Sequence, residues 1–322
     1  MKRIAILAIV IVVVIGGWSA AWFVASGMIR QNITQLASAD GQATPRVTCS
    51  KLDIGGYPFW FDVACSDLTV TQGDLTGNVA QVKATALAYS PWQVLLRVSA
   101  PATLEDAFSG SKERLDWQNL EASAHLTGWR IERISVVGDG LALSDTVAGA
   151  NLMGKAAHAE FHLLDIPEQH DAQKGLAALR LYATATGLDA PGFQITDGKS
   201  TLDARISGVS DDVRTYGDAD LLKRWQTAGG KIDLAGFTGN AGAQSFDIKG
   251  SIGLDTGGHP AGQLSLASKG LVERFGSAVP DQYRALVLGN PGADGTYQQT
   301  LTFTNGLIFS GVIPLGTLPA LM

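Results

Sequence analysis

The first thirty residues carry a pattern found nowhere else in the chain. Lys2 and Arg3 precede a run from Ile4 to Ile29 that holds no charged side chain, whereas ~20 apolar residues already cross the hydrocarbon layer of a bilayer. The pattern predicts a transmembrane anchor over residues 1–30, with Trp18 and Trp22 near its far interface. Two cations ahead of the run keep the N-terminus in the cytoplasm by the positive-inside rule, so residues 31–322 are expected on the other side of the inner membrane, in the periplasm. A cleaved signal peptide competes with the anchor, because Ile4–Ile15 has h-region length and Ala25-Ser26-Gly27 is a small-x-small site. Under that reading the body is secreted to the periplasm.

Past Arg30 the hydrophobic period falls to two. Leu120, Ala122, Ala124 and Leu126 alternate with Glu121, Ser123 and His125; Ala157, Ala159, Phe161 and Leu163 alternate with His158, Glu160 and His162. Such alternation predicts half-buried strands. Further strands are expected at 78–89, 92–98, 130–137, 176–186, 231–234, 245–254 and 263–267, and Asn305-Gly306 joins 301–304 to 307–310 as a hairpin. Helical signals are few: Asp218 as the cap of a helix through Leu221, Leu222 and Trp225, and a second helix opened by Pro280. The expected fold is therefore mainly β, a β-rich α+β protein built on a long curved antiparallel sheet or open β-trough with a few short helices. Residues 31–322 read as one exported domain, with a soft subdivision at 166–174 around Pro167.

Export bears on the two cysteines, because disulfides persist in oxidising compartments. Cys49 and Cys65 flank Ile54-Gly-Gly-Tyr-Pro58, which is turn chemistry, and Phe59–Ser66 alternates like a strand. With the turn centred on Tyr57 the cysteines fall opposite each other across a hairpin, so a disulfide is expected. That register would put Lys51 and Asp53 on the face of Phe61 and Val63, which calls for a bulge or a wider loop near Gly55. Two buried free thiols are the alternative.

Composition narrows the function. Hydrophobic residues make up 46% and charged ones 17%, which excludes a disordered tail. A formal net charge of −6 argues against a nucleic-acid partner. Apparent catalytic motifs are incomplete. Gly149–Lys155 imitates a phosphate loop but is followed by Ala156 where Ser or Thr is needed. Ser109-Gly-Ser-Lys112 has the Ser-x-x-Lys spacing without the Ser-Asp-Asn and Lys-Thr-Gly companions. His158, Glu160 and His162 are weak metal candidates. They share one strand face, but the imidazoles stand ~13 Å apart along an extended backbone, too far for one ion unless His125 or His170 joins them. No catalytic residue and no cofactor is assigned.

Three stretches carry a family resemblance: Leu52-Asp-Ile-Gly-Gly-Tyr-Pro-Phe-Trp-Phe-Asp-Val-Ala-Cys65, Gly250–Leu266 and Asn305–Gly316. The chain resembles an uncharacterised family of membrane-anchored alphaproteobacterial envelope proteins, that of the domain of unknown function 2125. More distantly it is similar to AsmA-like envelope proteins. The resemblance implies one N-terminal helix in the inner membrane and a curved antiparallel sheet whose open, apolar-lined trough takes lipid, with no established reaction. The expected function is that of a non-enzymatic envelope protein that acts as a scaffold or binds a partner, lipid or another envelope protein, and that can hold acyl chains in an apolar concave sheet. An exported enzyme with a distributed, motif-free active site is the alternative.

Overall fold

The computed structural model describes residues 2–42, 44–270 and 291–322. Among them a helix, α1 (Lys2–Ala37), precedes seventeen strands joined in one long antiparallel sheet. The strands are β1 (Arg46–Thr48), β2 (Lys51–Gly55), β3 (Trp60–Gln72), β4 (Leu75–Leu87), β5 (Ser90–Asp106), β6 (Lys112–Asp116), β7 (Asn119–Thr127), β8 (Arg130–Asp145), β9 (Asn151–Asp165), β10 (Leu176–Ala190), β11 (Ile195–Ser210), β12 (Lys231–Ala241), β13 (Gln244–Leu254), β14 (Pro260–Lys269), β15 (Tyr297–Thr304), β16 (Leu307–Ser310) and β17 (Ile313–Thr317). A short helix, α2 (Leu221–Thr227), follows β11. Tight turns make most sequence neighbours sheet neighbours, the arrangement that antiparallel alternation favours. At the start of the sheet β1 and β2 both lie against β3, and β6 pairs with β5 and β8.

α1 is long and apolar enough to cross a membrane, as an anchor or a signal sequence would be. It continues as helix past Arg30 to Ala37, seven residues beyond the expected limit. Nothing in Gln31–Ala37 breaks a helix, since neither Gly nor Pro occurs there.

Contacts divide the chain into two units, Met1–Ala124 with Gly138–Met153, and His125–Val137 with Gly154–Met322. In the first, Cys49 and Cys65 are bonded, their Cα atoms 5.4 Å apart. The register differs by three residues from the sequence expectation: Cys65 lies opposite Leu52 and not opposite Cys49, Val63 lies opposite Ile54, and Cys49 sits in the break between β1 and β2. This places the turn over Gly56–Phe59 instead of centring it on Tyr57. It resolves the facing conflict as well, because Leu52 and Ile54 now share the face of Cys65 and Val63 while Lys51 and Asp53 point the other way and pair at 2.8 Å.

In the second unit Ala177, Ala178, Leu179 and Ala204 are buried on neighbouring strands. The polar stretch 166–174 lies inside this unit and contains a single 3₁₀ turn at Pro167–Gln169. Asn305 and Gly306 take φ of 49° and 73°, the left-handed pair that a two-residue hairpin turn requires. The N-cap position of α2 is Asp220, not Asp218; the Asp218 carboxylate is turned to Arg224 at 3.0 Å. The Pro280 helix expected from sequence lies outside the described residues.

Four strands went unread in the sequence: β1, β6, β11 and β17. In β6 (Lys-Glu-Arg-Leu-Asp) the charges hide the period, and ion pairs Lys112–Glu105 and Arg114–Asp116 offset them. In β11 Leu202, Ala204 and Ile206 alternate with Asp203 and Arg205, which pair across strands with Arg180 and Asp233.

Candidate functional site

Few side chains are fully buried among the described residues. Along most strands half-buried positions predominate, so apolar faces are partly covered and not closed into a dry core. In the first unit one such face leaves a groove of about 540 Å³ between α1 and β3–β5, within the size range of a small-molecule or acyl-chain site. Its origin is short side chains. Ala21 and Ala25 are one helical turn apart on α1, and Ala84, Ala86 and Ala88 alternate along β4 and its turn. Phe61, Ala86 and Val94 are register partners across three strands and form the floor. All the lining residues, which also include Trp18, Met28 and Ile29, are apolar or aromatic.

The helix is held over this floor by hydrogen bonds from its aromatic residues. Trp18 Nε1 donates to the Pro58 carbonyl and Trp22 Nε1 to the Trp60 carbonyl, each at 2.9 Å, and Ser19 Oγ lies 2.7 Å from the Tyr57 hydroxyl. Trp22 is buried, stacked on Phe61 with centroids 5.5 Å apart and edge-on to Tyr57 at the same distance. An indole satisfies its one polar atom and fills space with the rest, which suits a joint between helix and sheet. The Gly56–Phe59 turn is therefore a built contact with α1.

A second cavity, about 430 Å³, lies in the second unit under α2. Leu176, Ile206, Leu221 and Ile232 give it an apolar floor, while Lys174 and Arg224 charge its rim. Trp225 reaches over it and donates to the Ser207 carbonyl at 2.8 Å. Gly230 permits that approach: a Cβ there would stand 2.2 Å from the indole nitrogen.

The histidines form hydrogen-bonded rows. The Glu160 carboxylate bridges His158 at 2.8 Å and His162 at 3.1 Å, and His162 Nδ1 lies 2.9 Å from Ser135 Oγ. Those hydrogen bonds, His158's first, hold Glu160 below its ordinary pKa. The three candidates thus share a face as expected, with the carboxylate between the rings. Neither further imidazole joins them: His125 pairs with Glu132 at 3.5 Å, and His170 lies between Arg130 and Asp211. No group of three metal-ligating side chains suited to an ion occurs among the described residues.

His170 has a fixed tautomer. Arg130 can only donate, so His170 Nδ1 accepts from it at 2.8 Å and Nε2–H donates to Asp211 at 3.1 Å. Both ring nitrogens are thereby occupied, and no hydroxyl uses this imidazole as a base. Nearby, burial and then the carboxylates of Asp211 and Asp165 push the Tyr216 phenol up to about 12, while its hydroxyl donates to the Ser210 carbonyl at 2.9 Å. The remaining motifs are also engaged structurally. Ser109 donates to Asp106 at 2.7 Å and Lys112 pairs with Glu105 at 3.2 Å. Gly149–Lys155 enters β9, and Lys155 pairs with Asp189 at 2.9 Å.

Sequence reasoning located Trp18 and Trp22 but missed the groove. The available signal was the set of alanines at 84, 86 and 88 inside a charge-free stretch, small where an alternating strand ordinarily carries large apolar residues.

No curated protein and no solved structure matches the chain. Residues 22–319 match the model of a family described as an uncharacterized protein conserved in bacteria (DUF2125). The match takes in every strand of the described residues and, of the helix residues that line the groove, Trp22, Ala25, Met28 and Ile29, and the chain belongs to that family.

Proposed function

We propose that this is a non-enzymatic, inner-membrane-anchored periplasmic protein that holds a lipid acyl chain in the groove between α1 and β3–β5. The observation that carries the reading is the chemistry of the groove: its lining is wholly apolar, and one wall is the helix that is itself apolar enough to lie in a bilayer. A hydrocarbon chain leaving the membrane along α1 meets no charged group before Arg30. The topology rests on Lys2 and Arg3 before the span, and the Cys49–Cys65 disulfide suits an oxidising compartment. The absence of catalysis in this reading is supported by the engagement of Ser109, Lys112, Lys155 and His170 in structural bonds.

Photolabelling tests it. A phospholipid with a photoreactive acyl terminus, incubated with the full chain in vesicles, should label peptides of β3 and β4 containing Phe61 and Ala86. Filling the groove with Ala86→Phe should remove that label. Persistent labelling in the variant, or none in the wild type, would reject the acyl site.

A partner-binding scaffold is the second reading. It is favoured by the cavity under α2, whose charged rim and apolar floor suit a polypeptide better than hydrocarbon.

A further inference from the structure

The exposed aromatic residues of the first unit are concentrated at one end of its strands. Phe59 is 56% exposed and Tyr89 67%, with Tyr57, Trp60 and Trp92 also on the surface. Tyr57, Phe59 and Tyr89 belong to two adjacent turns, joined where the Ala88 amide donates to the Phe59 carbonyl at 2.8 Å, and Trp60 and Trp92 to the strand ends beside them. Exposed apolar area of this kind marks a contact with something apolar.

Charge distribution identifies what. On β2–β3 no charged residue occurs between Asp53 and Asp62, and on β4–β5 none occurs between Lys83 and Arg97. Lys83 and Arg97 are direct register partners, so the charge-free zone ends at one level on both strands. Asp62 is the charge nearest the turns, and its carboxylate accepts from Thr85 Oγ1 at 2.6 Å. From Asp62 to Phe59 the extended chain advances ~10 Å at ~3.3 Å per residue. The cap of the hairpins is thus an uncharged aromatic layer ~10 Å deep.

Helix geometry gives its depth. A hydrocarbon core of ~30 Å needs ~20 helical residues, so a span starting at Ile4 ends near Phe23. The turn is tied to α1 at Trp18, Ser19 and Trp22. Trp18 lies five residues before Phe23, or ~7 Å inside the boundary at ~1.5 Å per residue. An apolar element at the headgroup and acyl boundary is buried by about 5–10 Å, the layer where Trp and Tyr concentrate.

We infer that the Gly56–Phe59 and Ala88–Tyr89 turns form an aromatic cap seated in the outer interfacial layer of the bilayer that α1 crosses, so that the body grips the membrane at a second place. The proposal rests on the span and not on acyl-chain binding in the groove. Seating the cap fixes the tilt of the body against the bilayer plane, which a single spanning helix does not do. It also sets the groove beside acyl chains and not in bulk water.

Site-directed spin labelling of the full chain in phosphatidylcholine–phosphatidylglycerol vesicles tests it. Nitroxides are placed at Phe59→Cys and Tyr89→Cys, and at Phe108→Cys as the reference. Phe108 is an equally apolar side chain, 89% exposed, in the turn at the other end of β5. All three are surface positions, so substitution leaves packing intact, and the two native cysteines are already bonded to each other. Labels at 59 and 89 should collide several-fold more with oxygen than with a water-soluble nickel chelate, and the label at 108 should show the reverse. If 59 and 89 behave like 108 while alkaline carbonate leaves the protein in the vesicles, the cap is wrong and the span stands. Release by carbonate would overturn the span, and the cap with it.

Discussion

The two units are built from the same kind of strands, yet one end of the first leaves out the charges that the second pairs across its strands. At the turn end of the first unit charges are missing for the length of two hairpins, and aromatic side chains are left on the surface. In the second unit charges lie within the strands and are matched across them, Arg180 to Asp203 at 2.6 Å and Arg205 to Asp233 at 2.9 Å. Both devices keep a half-covered sheet in one register, but they suit different surroundings. Cross-strand ion pairs between partly exposed groups contribute little each and work in water. An uncharged aromatic end is costly in water and favourable at a lipid interface. The comparison teaches that a sheet with little full burial can still be specialised locally, through which face is charged and which is left bare.

The largest expected effect concerns the joint that defines the first unit. Trp22→Ala empties a buried site among Phe23, Tyr57 and Phe61 and removes a hydrogen bond to Trp60, so a loss of about 3–5 kcal/mol is expected. Thermal unfolding of the full chain in detergent micelles measures it. An unmoved transition would mean that the hairpin does not rest on the helix.

Next in size is the disulfide. Cys49→Ser with Cys65→Ser reopens a loop with a sequence separation of 16 and should cost about 3 kcal/mol on the chain-entropy account. The transition should then become insensitive to reductant, whereas wild type should lose a similar amount when reduced. Equal melting of oxidised wild type, reduced wild type and the double variant would contradict this.

The smallest effect distinguishes the second unit. Hydrogen bonds from Arg180 and Arg205 hold Asp203 and Asp233 below their ordinary pKa values. A carboxylate lowered on folding stabilises the protein above its unfolded pKa, ~3.9, and loses that contribution as pH falls through the lower folded value. Acid should therefore destabilise wild type below about pH 4 more steeply than the Arg180→Gln, Arg205→Gln double variant, for which the two pKa values lie closer to the unfolded ones. Parallel acid-unfolding curves would show that these pairs are not part of the linkage.

Much of the fold was legible because a period of two survives wherever one face is covered. Leu120–Leu126 and Ala157–Leu163 read as strands for that reason and fall within β7 and β9. The hairpin at Asn305-Gly306 was readable from two residues, since few other pairs tolerate left-handed backbone in succession. Local reading failed at β6, where four of the five residues are charged, and at β11, where the partners of Asp203 and Arg205 are distant in sequence. The hairpin register was off for a related reason. Gly55-Gly56 and Pro58 announce a turn without fixing its centre, and only the pairing of Leu52 with Cys65 does so. The groove was least legible. It is a property of what Ala21, Ala25, Ala84, Ala86 and Ala88 leave unfilled once they face one another, and no single stretch of sequence contains that volume.

The most direct test of the central claim, that the groove beside α1 holds hydrocarbon, is native mass spectrometry of the full chain extracted gently from membranes. The account predicts a bound acyl-lipid mass on the wild type in near one-to-one ratio, lost from Ala86→Phe and kept in a Phe193→Ser variant at an exposed position of the second unit. Protein free of lipid, or lipid retained equally by Ala86→Phe, would contradict it.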